Sequence, residues 1–307
     1  MATSSLNVNF CGMRMSNPTI LASGIMGSTA DSLIRVAAEG AGAVTSKSCS
    51  IEPRTGHKNP TVLEWEHGVI NAVGLSNPGV EHELVELKKA VAKSKAPVIA
   101  SIFADKAEKF GPLAQMVSEA KPAMIEINAS CPNVEAEFGK PFAAECTSAE
   151  LVTRIVKENT KIPVIVKLSP NVPSIKAIAL AVESAGADAI NAINTIGPGM
   201  IIDIESGKPV LANKVGGVSG PAIRPVAVKC VYDICSAVKI PVIGTGGISN
   251  GHDAVEMIMA GASAVGIGTA IYYHDISVFP EICTEMEIFM QRHGYKKLED
   301  FRGLALR

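Results

Sequence analysis

Pro163-Val164-Ile165-Val166-Lys167-Leu168 is apolar on both of its alternating faces and carries a single cation. A strand with one face in water alternates apolar with polar residues. This one does not, so it reads as a strand covered on both sides, the condition of a parallel sheet clothed in helices. Runs of the same kind recur on either side of it, at 18–23 (PTILAS), 41–47 (AGAVTSK), 97–102 (PVIASI), 123–128 (AMIEIN), 188–193 (DAINAI), 241–246 (PVIGTG) and 263–268 (SAVGIG). Between most of them lie segments with helical spacing, such as Leu84, Leu87 and Val91, or Leu151, Ile155 and Val156. Parallel neighbours need a crossover, which a helix supplies. Eight such units close a (β/α)₈ TIM barrel, which leaves no sheet edge exposed. The expectation is therefore an α/β chain forming a single domain over 1–307, with a β-hairpin in NVNFCGMRMSNP (7–18) plugging the bottom of the barrel.

The composition agrees with a large buried core. Hydrophobic residues make up 47% of the chain and charged residues 19%, and the net charge is −2. No run of Lys or Arg could track a phosphate backbone, which argues against nucleic acid. The N-terminus lacks a basic stretch followed by an apolar one, and no apolar run is long enough to span a bilayer, so a cytoplasmic location without membrane attachment is expected. The seven cysteines (11, 49, 131, 146, 230, 235, 283) show no CxxC spacing, so this chain is expected to hold no metal, and most of its thiols should be buried small hydrophobes.

Three long loops follow strands, at 48–80, 129–147 and 194–222, on the C-terminal face where barrels carry their chemistry. Asn128-Ala129-Ser130-Cys131-Pro132-Asn133 places a thiol between amides at the barrel mouth. An isolated cysteine beside a proline is more often a buried turn residue, but the flanking amides favour a base or nucleophile. Lys47 ends the second strand and Lys167 lies within the fifth, and a lysine in an apolar strand is costly unless something pairs with it. An anionic ligand would satisfy both, although Lys47 at a strand end could also snorkel to the rim. Gly244-Thr245-Gly246-Gly247-Ile248 and Gly266-Ile267-Gly268-Thr269-Ala270 end strands seven and eight, where backbone N–H groups bind phosphate in many barrels. Asn71 to Gly79 and Asn194-Thr195 add uncharged donors and acceptors suited to a planar ligand, or to ordinary turns.

In order along the chain, TSKS (45–48), NAVGLSNPG (71–79), NASCPN (128–133), NTIGPGM (194–200), GGVSGPAIRP (216–225) and IGTGGI (243–248) resemble the motifs of class 1 dihydroorotate dehydrogenases, and the resemblance covers nearly the whole chain. It implies oxidation of (S)-dihydroorotate to orotate in de novo pyrimidine biosynthesis. Cys131 would take the C5 proton while hydride passes from C6 to N5 of FMN, with Lys167 facing the N1–O2 edge of the flavin. The resemblance further implies that Lys47, Asn71, Ala72, Val73, Gly74, Leu75, Asn128, Asn133, Asn194 and Thr195 hold the substrate. FMN would be contacted by Ser23, Lys47, Ser48, Ser101, Asn128, Lys167, Ile193, Gly220, Gly246, Gly247, Gly268 and Thr269.

The motifs look most like type B, whose catalytic chain passes electrons to NAD through a second subunit carrying FAD and a 2Fe-2S cluster. This implies a homodimer, or a heterotetramer with that electron-transfer subunit. VEAEFGKPFAAE (134–145) departs from the family pattern, and Ser101 stands where type B chains commonly have Asn. The alternatives are a fumarate-using type A enzyme, a related flavin barrel acting on dihydropyrimidines, and a barrel that only binds or scaffolds.

Overall fold

The computed structural model describes residues 6–129 and 141–307. Among the described residues there are sixteen strands, β-labelled in chain order. Eight of them close a barrel in chain order, every neighbouring pair parallel: β3 (Thr19–Leu21), β4 (Ala43–Thr45), β7 (Val98–Ile102), β8 (Met124–Asn128), β9 (Val164–Leu168), β10 (Ala189–Ala192), β15 (Val242–Thr245) and β16 (Ala264–Ile267). All eight fall inside the runs read from the sequence. A helix follows each strand, in chain order α1 (Ala30–Glu39), α2 (Val80–Lys93), α3 (Phe110–Ser118), α4 (Cys146–Asn159), α5 (Ile175–Ser184), α6 (Arg224–Cys235) and α7 (Gly251–Met259). After β16 come the short α8 (Ala270–His274) and α9 (Val278–His293). Among the described residues no helix is long and apolar enough to cross a membrane.

The doubly apolar strands divide their side chains between two cores. Ile125 and Ile127, Val164 and Val166, and Ile190 pack outward against the helices. Ile20, Ala43, Ile99, Met124, Ile165, Ala189, Ile243 and Ala264, one from each barrel strand, form a separate cluster with Phe10, Met13 and Met15. Those last three come from the antiparallel hairpin of β1 (Val8–Phe10) and β2 (Met13–Met15), which closes the barrel at the end where its strands begin. Glycine ends several units as expected. Gly40 caps α1 with φ +118 and donates to Ala37 and Val36 carbonyls, and Gly186 and Gly261 take φ of +93 and +116 in the turns after α5 and α7.

The segments 48–80 and 194–222 differ from simple loops. They contribute β5 (Val62–Trp65), β6 (Gly68–Asn71), β11 (Ile196–Gly199) and β14 (Gly216–Ser219) to a four-stranded antiparallel sheet in the order β11-β14-β6-β5. A small hairpin of β12 (Ile202–Asp203) and β13 (Lys208–Pro209) projects from the same region. These strands are short, and β6, β11 and β14 contain glycine, so their pattern was hidden among turn signals. Their pairing turns two excursions separated by more than a hundred residues into one wall over the barrel mouth.

Candidate active site

A cavity of about 580 Å³ opens between the C-terminal ends of the barrel strands and the four-stranded sheet, a size that suits a small-molecule site. Strand β9 places Lys167 at its edge. Lys167 is only 6% exposed, and its Nζ donates to Ser23 Oγ at 3.2 Å. Among the described residues no carboxylate lies within 4.0 Å of that ammonium. One neutral hydroxyl does not offset the burial of a cation, so the chemistry here calls for an acceptor or anion in the cavity. Lys47, just beyond β4, faces the same space and likewise has no carboxylate within 4.0 Å among the described residues. Burial pushes its ammonium below the usual value, and the charge of Glu83 pulls the other way.

Glycines shape the opposite wall, which combines residues after β15 and β16. Gly246 and Gly247 take φ of +129 and +77, and a Cβ at Gly247 would stand 2.5–2.7 Å from Arg224. A Cβ at Gly268 would meet only Ala22 Cβ, at 3.7 Å, so glycine there leaves open space toward the cavity. The turn after Gly247 is held from behind: buried Asp253 accepts from Ser249 N at 2.9 Å and pairs with Arg224, while Asn250 caps α7 by accepting from Asp253 N at 3.0 Å. Thr269 Oγ1 donates to Ser219 Oγ at 2.9 Å, joining this wall to β14. Apolar side chains of Ile193, Ile223 and Ile248 line the space between. Cation, glycine-lined backbone and flat apolar walls together fit a phosphate-bearing aromatic cofactor.

Above this lies a group of amides. Asn71 ends β6, and the following turn has Gly74 at φ +74 and Leu75 at φ +57. Asn77 pins that turn, with Nδ2 donating to Leu75 O at 2.9 Å and Oδ1 accepting from Gly79 N at 2.9 Å. Arg54 Nε donates to Gly74 O at 2.7 Å. Asn194 Oδ1 accepts from Thr195 N at 2.8 Å, and Asn171 Nδ2 donates to Thr195 O at 3.0 Å. Asn128 Nδ2 donates to Ser48 Oγ at 3.0 Å.

Of the residues singled out from sequence, the cavity gathers Ser23, Lys47, Ser48, Asn71, Val73, Gly74, Leu75, Asn128, Lys167, Ile193, Asn194, Thr195, Gly220, Gly246, Gly247, Gly268 and Thr269. Two do not line it. Ala72 points into the small cluster of Ile70 and Leu211 because alternation along β6 turns it away, and Ser101 lies beneath the floor, bonded to Ser48 and Glu126. Cys131 and Asn133 lie outside the described residues. Sequence reasoning missed Val62, Val69, Ser219, Thr245 and Tyr272 as lining residues. Ser219 and Thr245 sat inside quoted motifs, whereas Val62, Val69 and Tyr272 carried no local signal.

The cysteines depart from expectation. Among the described residues only Cys49 is buried; Cys11, Cys230, Cys235 and Cys283 are half-buried and Cys146 is exposed. Burial pushes the Cys11 thiol up to about 11 and those of Cys235 and Cys283 to about 12. None of these six lines the cavity.

Comparison with known proteins yields concordant matches. The profile described as "Dihydroorotate dehydrogenase" matches residues 5–290. A protein of Methanosarcina mazei named "Dihydroorotate dehydrogenase B (NAD(+)), catalytic subunit" is 50% identical over 303 residues, covering 98% of this chain and 96% of its own. Proteins of the same name from Pyrococcus abyssi and Thermococcus kodakarensis are 45% and 44% identical, covering 98% and 100% of this chain and 99% and 100% of their own.

Proposed function

Because this chain belongs to the dihydroorotate dehydrogenase family, whose members depend on FMN, we propose that it oxidises dihydroorotate to orotate in pyrimidine biosynthesis, with Cys131 as the base. The observation that carries the reading is the pair of cations, Lys47 and Lys167, facing one cavity lined otherwise, among the described residues, by uncharged groups: amides, hydroxyls, glycines, aliphatic side chains and Tyr272. That donor set matches a carboxylated pyrimidine lying beside a flavin phosphate ester.

FMN, when bound, supplies the two-electron acceptor for the hydrogen at substrate C6. The chain's own residues do the rest. Lys167, with Ser23 as its partner, offers a positive charge at the edge where electron density gathers. Gly246, Gly247, Gly268 and Thr269 form the phosphate cradle. Lys47 answers the substrate carboxylate, and Asn71, Asn128, Asn133, Asn194 and Thr195 offer amide and hydroxyl groups to the ring. The turn Val73 to Leu75 covers it and restricts water. The Cys131 thiolate removes the C5 proton, which a thiol does best once ionised.

The relatives' name, with its NAD(+) and its catalytic subunit, supports type B over a fumarate-using enzyme. On that reading electrons leave through a separate subunit carrying FAD and a 2Fe-2S cluster, and two copies of each chain assemble. Titrating the purified flavoprotein with orotate and with uracil tests the substrate class. Orotate should perturb the flavin spectrum and compete with dihydroorotate, whereas uracil, lacking the carboxylate that Lys47 recognises, should do neither. Equal response to both would favour a dihydropyrimidine substrate.

A further inference from the structure

Beneath the cavity the barrel interior is polar, and it is organised about one acid. Glu126, inward-facing on β8 and 1% exposed, accepts from Ser101 Oγ at Oε1 (3.1 Å) and from Asn191 Nδ2 at Oε2 (2.7 Å). Asn191 Oδ1 accepts from Thr245 Oγ1 at 2.7 Å. On the other side Ser101 Oγ lies 2.9 Å from Ser48 Oγ. A hydroxyl has one proton to give, and that of Ser101 is given to Glu126, so Ser48 is the donor in this contact. The Ser48 oxygen is then left to accept from Asn128 Nδ2, at 3.0 Å. Every donor in the relay points toward the carboxylate, and both ends, Asn128 and Thr245, emerge in the cavity wall.

A carboxylate sunk in a barrel with only neutral partners is a poor stabilising device, because its desolvation is large and an apolar side chain of similar volume would fill the same space. What an acceptor-only group does supply is polarity to the chain of bonds. It settles which way the Asn128 amide faces, a choice that the shape of an amide alone leaves open.

We propose that Glu126 is a positioning residue, which through Ser101 and Ser48 sets the orientation of the Asn128 amide toward the substrate ring. This rests on the proposed function, which makes Asn128 a substrate contact. Glutamine at 126 accepts only through Oε1 and donates through Nε2, so one of the two arms that now donate to the carboxylate loses its acceptor and must reorganise. On the Ser101 arm the relay reverses: Ser101 donates to Ser48, Ser48 donates to Asn128, and the amide turns over, with almost no change in volume.

The test measures orotate binding to the FMN-loaded protein by its effect on the flavin spectrum. Glu126→Gln is expected to weaken orotate at least tenfold while flavin content and melting midpoint stay close to those of the unaltered protein. In an Asn128→Ala background the same substitution should change orotate binding less than twofold, since the group it acts through is gone. A purely structural Glu126 would leave orotate binding within twofold, or would cost the same tenfold in both backgrounds, and either result overturns the proposal. If Glu126→Gln does not yield a folded flavoprotein, Ser101→Ala cuts the same arm and should show the same tenfold loss, an effect within twofold again being fatal. No spectral response to orotate in the unaltered protein would overturn the proposed function itself, and this inference with it.

Discussion

Lys167 Nζ reaches across the barrel mouth from β9 to Ser23 Oγ, 3.2 Å away beyond β3, and among the described residues no anion neutralises it. The protein therefore bears a desolvation cost at this position that only a bound acceptor offsets. Lys167→Met keeps the length of the side chain and removes the charge. FMN should bind roughly tenfold to a hundredfold more weakly, the equivalent of about 1.5–3 kcal/mol for a charge-assisted hydrogen bond. The flavin-free protein should melt at a higher temperature than unaltered flavin-free protein. Flavin titration and thermal denaturation check the two halves, and an unchanged FMN affinity would remove Lys167 from the cofactor site.

Gly247 combines φ +77 with a Cβ position 2.5–2.7 Å from Arg224 side-chain and backbone atoms. Alanine there is strained twice, and relief requires moving the start of α6 or the turn held by Asp253. FMN affinity should fall at least tenfold in Gly247→Ala. Gly207 has φ +64 but nothing within 4 Å of its Cβ position, so Gly207→Ala is the control: a small loss of stability with FMN affinity intact. Equal FMN affinity in the two variants would show that the cradle does not depend on the backbone of Gly247.

Glu83, in the first turn of α2 and 2% exposed, is pushed up from 4.5 to about 7, chiefly by burial. Glu86 adds to the rise, while Ser46 and Lys47 oppose it. Its folded-state value lies above its unfolded one, so the folded protein holds the proton more tightly. The contribution to stability is complete below pH 4.5, is lost as pH rises through 7, and amounts to about 3 kcal/mol in total. Glu83→Gln should therefore raise the melting midpoint at pH 8 and leave it nearly unchanged at pH 4.5. The same shift at both pH values would mean that Glu83 does not titrate in this window.

The barrel was legible because burial on both faces leaves an unmistakable mark, eight apolar runs with helical segments between them. The plug at Phe10, Met13 and Met15 was legible because alternation survives in a short hairpin. The sheet joining β6 to β14 was not, since pairing of Gly217 with Asn71 depends on contacts 146 residues apart and its strands are rich in glycine. The site was legible where charge or glycine stood out against an apolar strand, as at Lys167 and Gly246-Gly247. Position within a motif could not say which way a side chain turns. Ala72 and Ser101 lie in or beside recognisable motifs yet face a small core and the barrel interior. Tyr272 reaches the cavity from α8 with nothing in its neighbours to announce it.

The central claim, that this flavoprotein takes electrons from dihydroorotate with Cys131 as the base, is tested most directly by anaerobic mixing with dihydroorotate while the flavin absorbance is followed. The unaltered protein should bleach rapidly, at a rate that rises with pH through the titration of Cys131, a residue type that ionises near ~8.5 when unperturbed. Cys131→Ser should hold its FMN yet bleach at least a hundredfold more slowly, given the usual contribution of about 10²–10⁴ from a positioned base. A flavin that is bound but not bleached by dihydroorotate, or that bleaches equally fast in Cys131→Ser, would contradict the account.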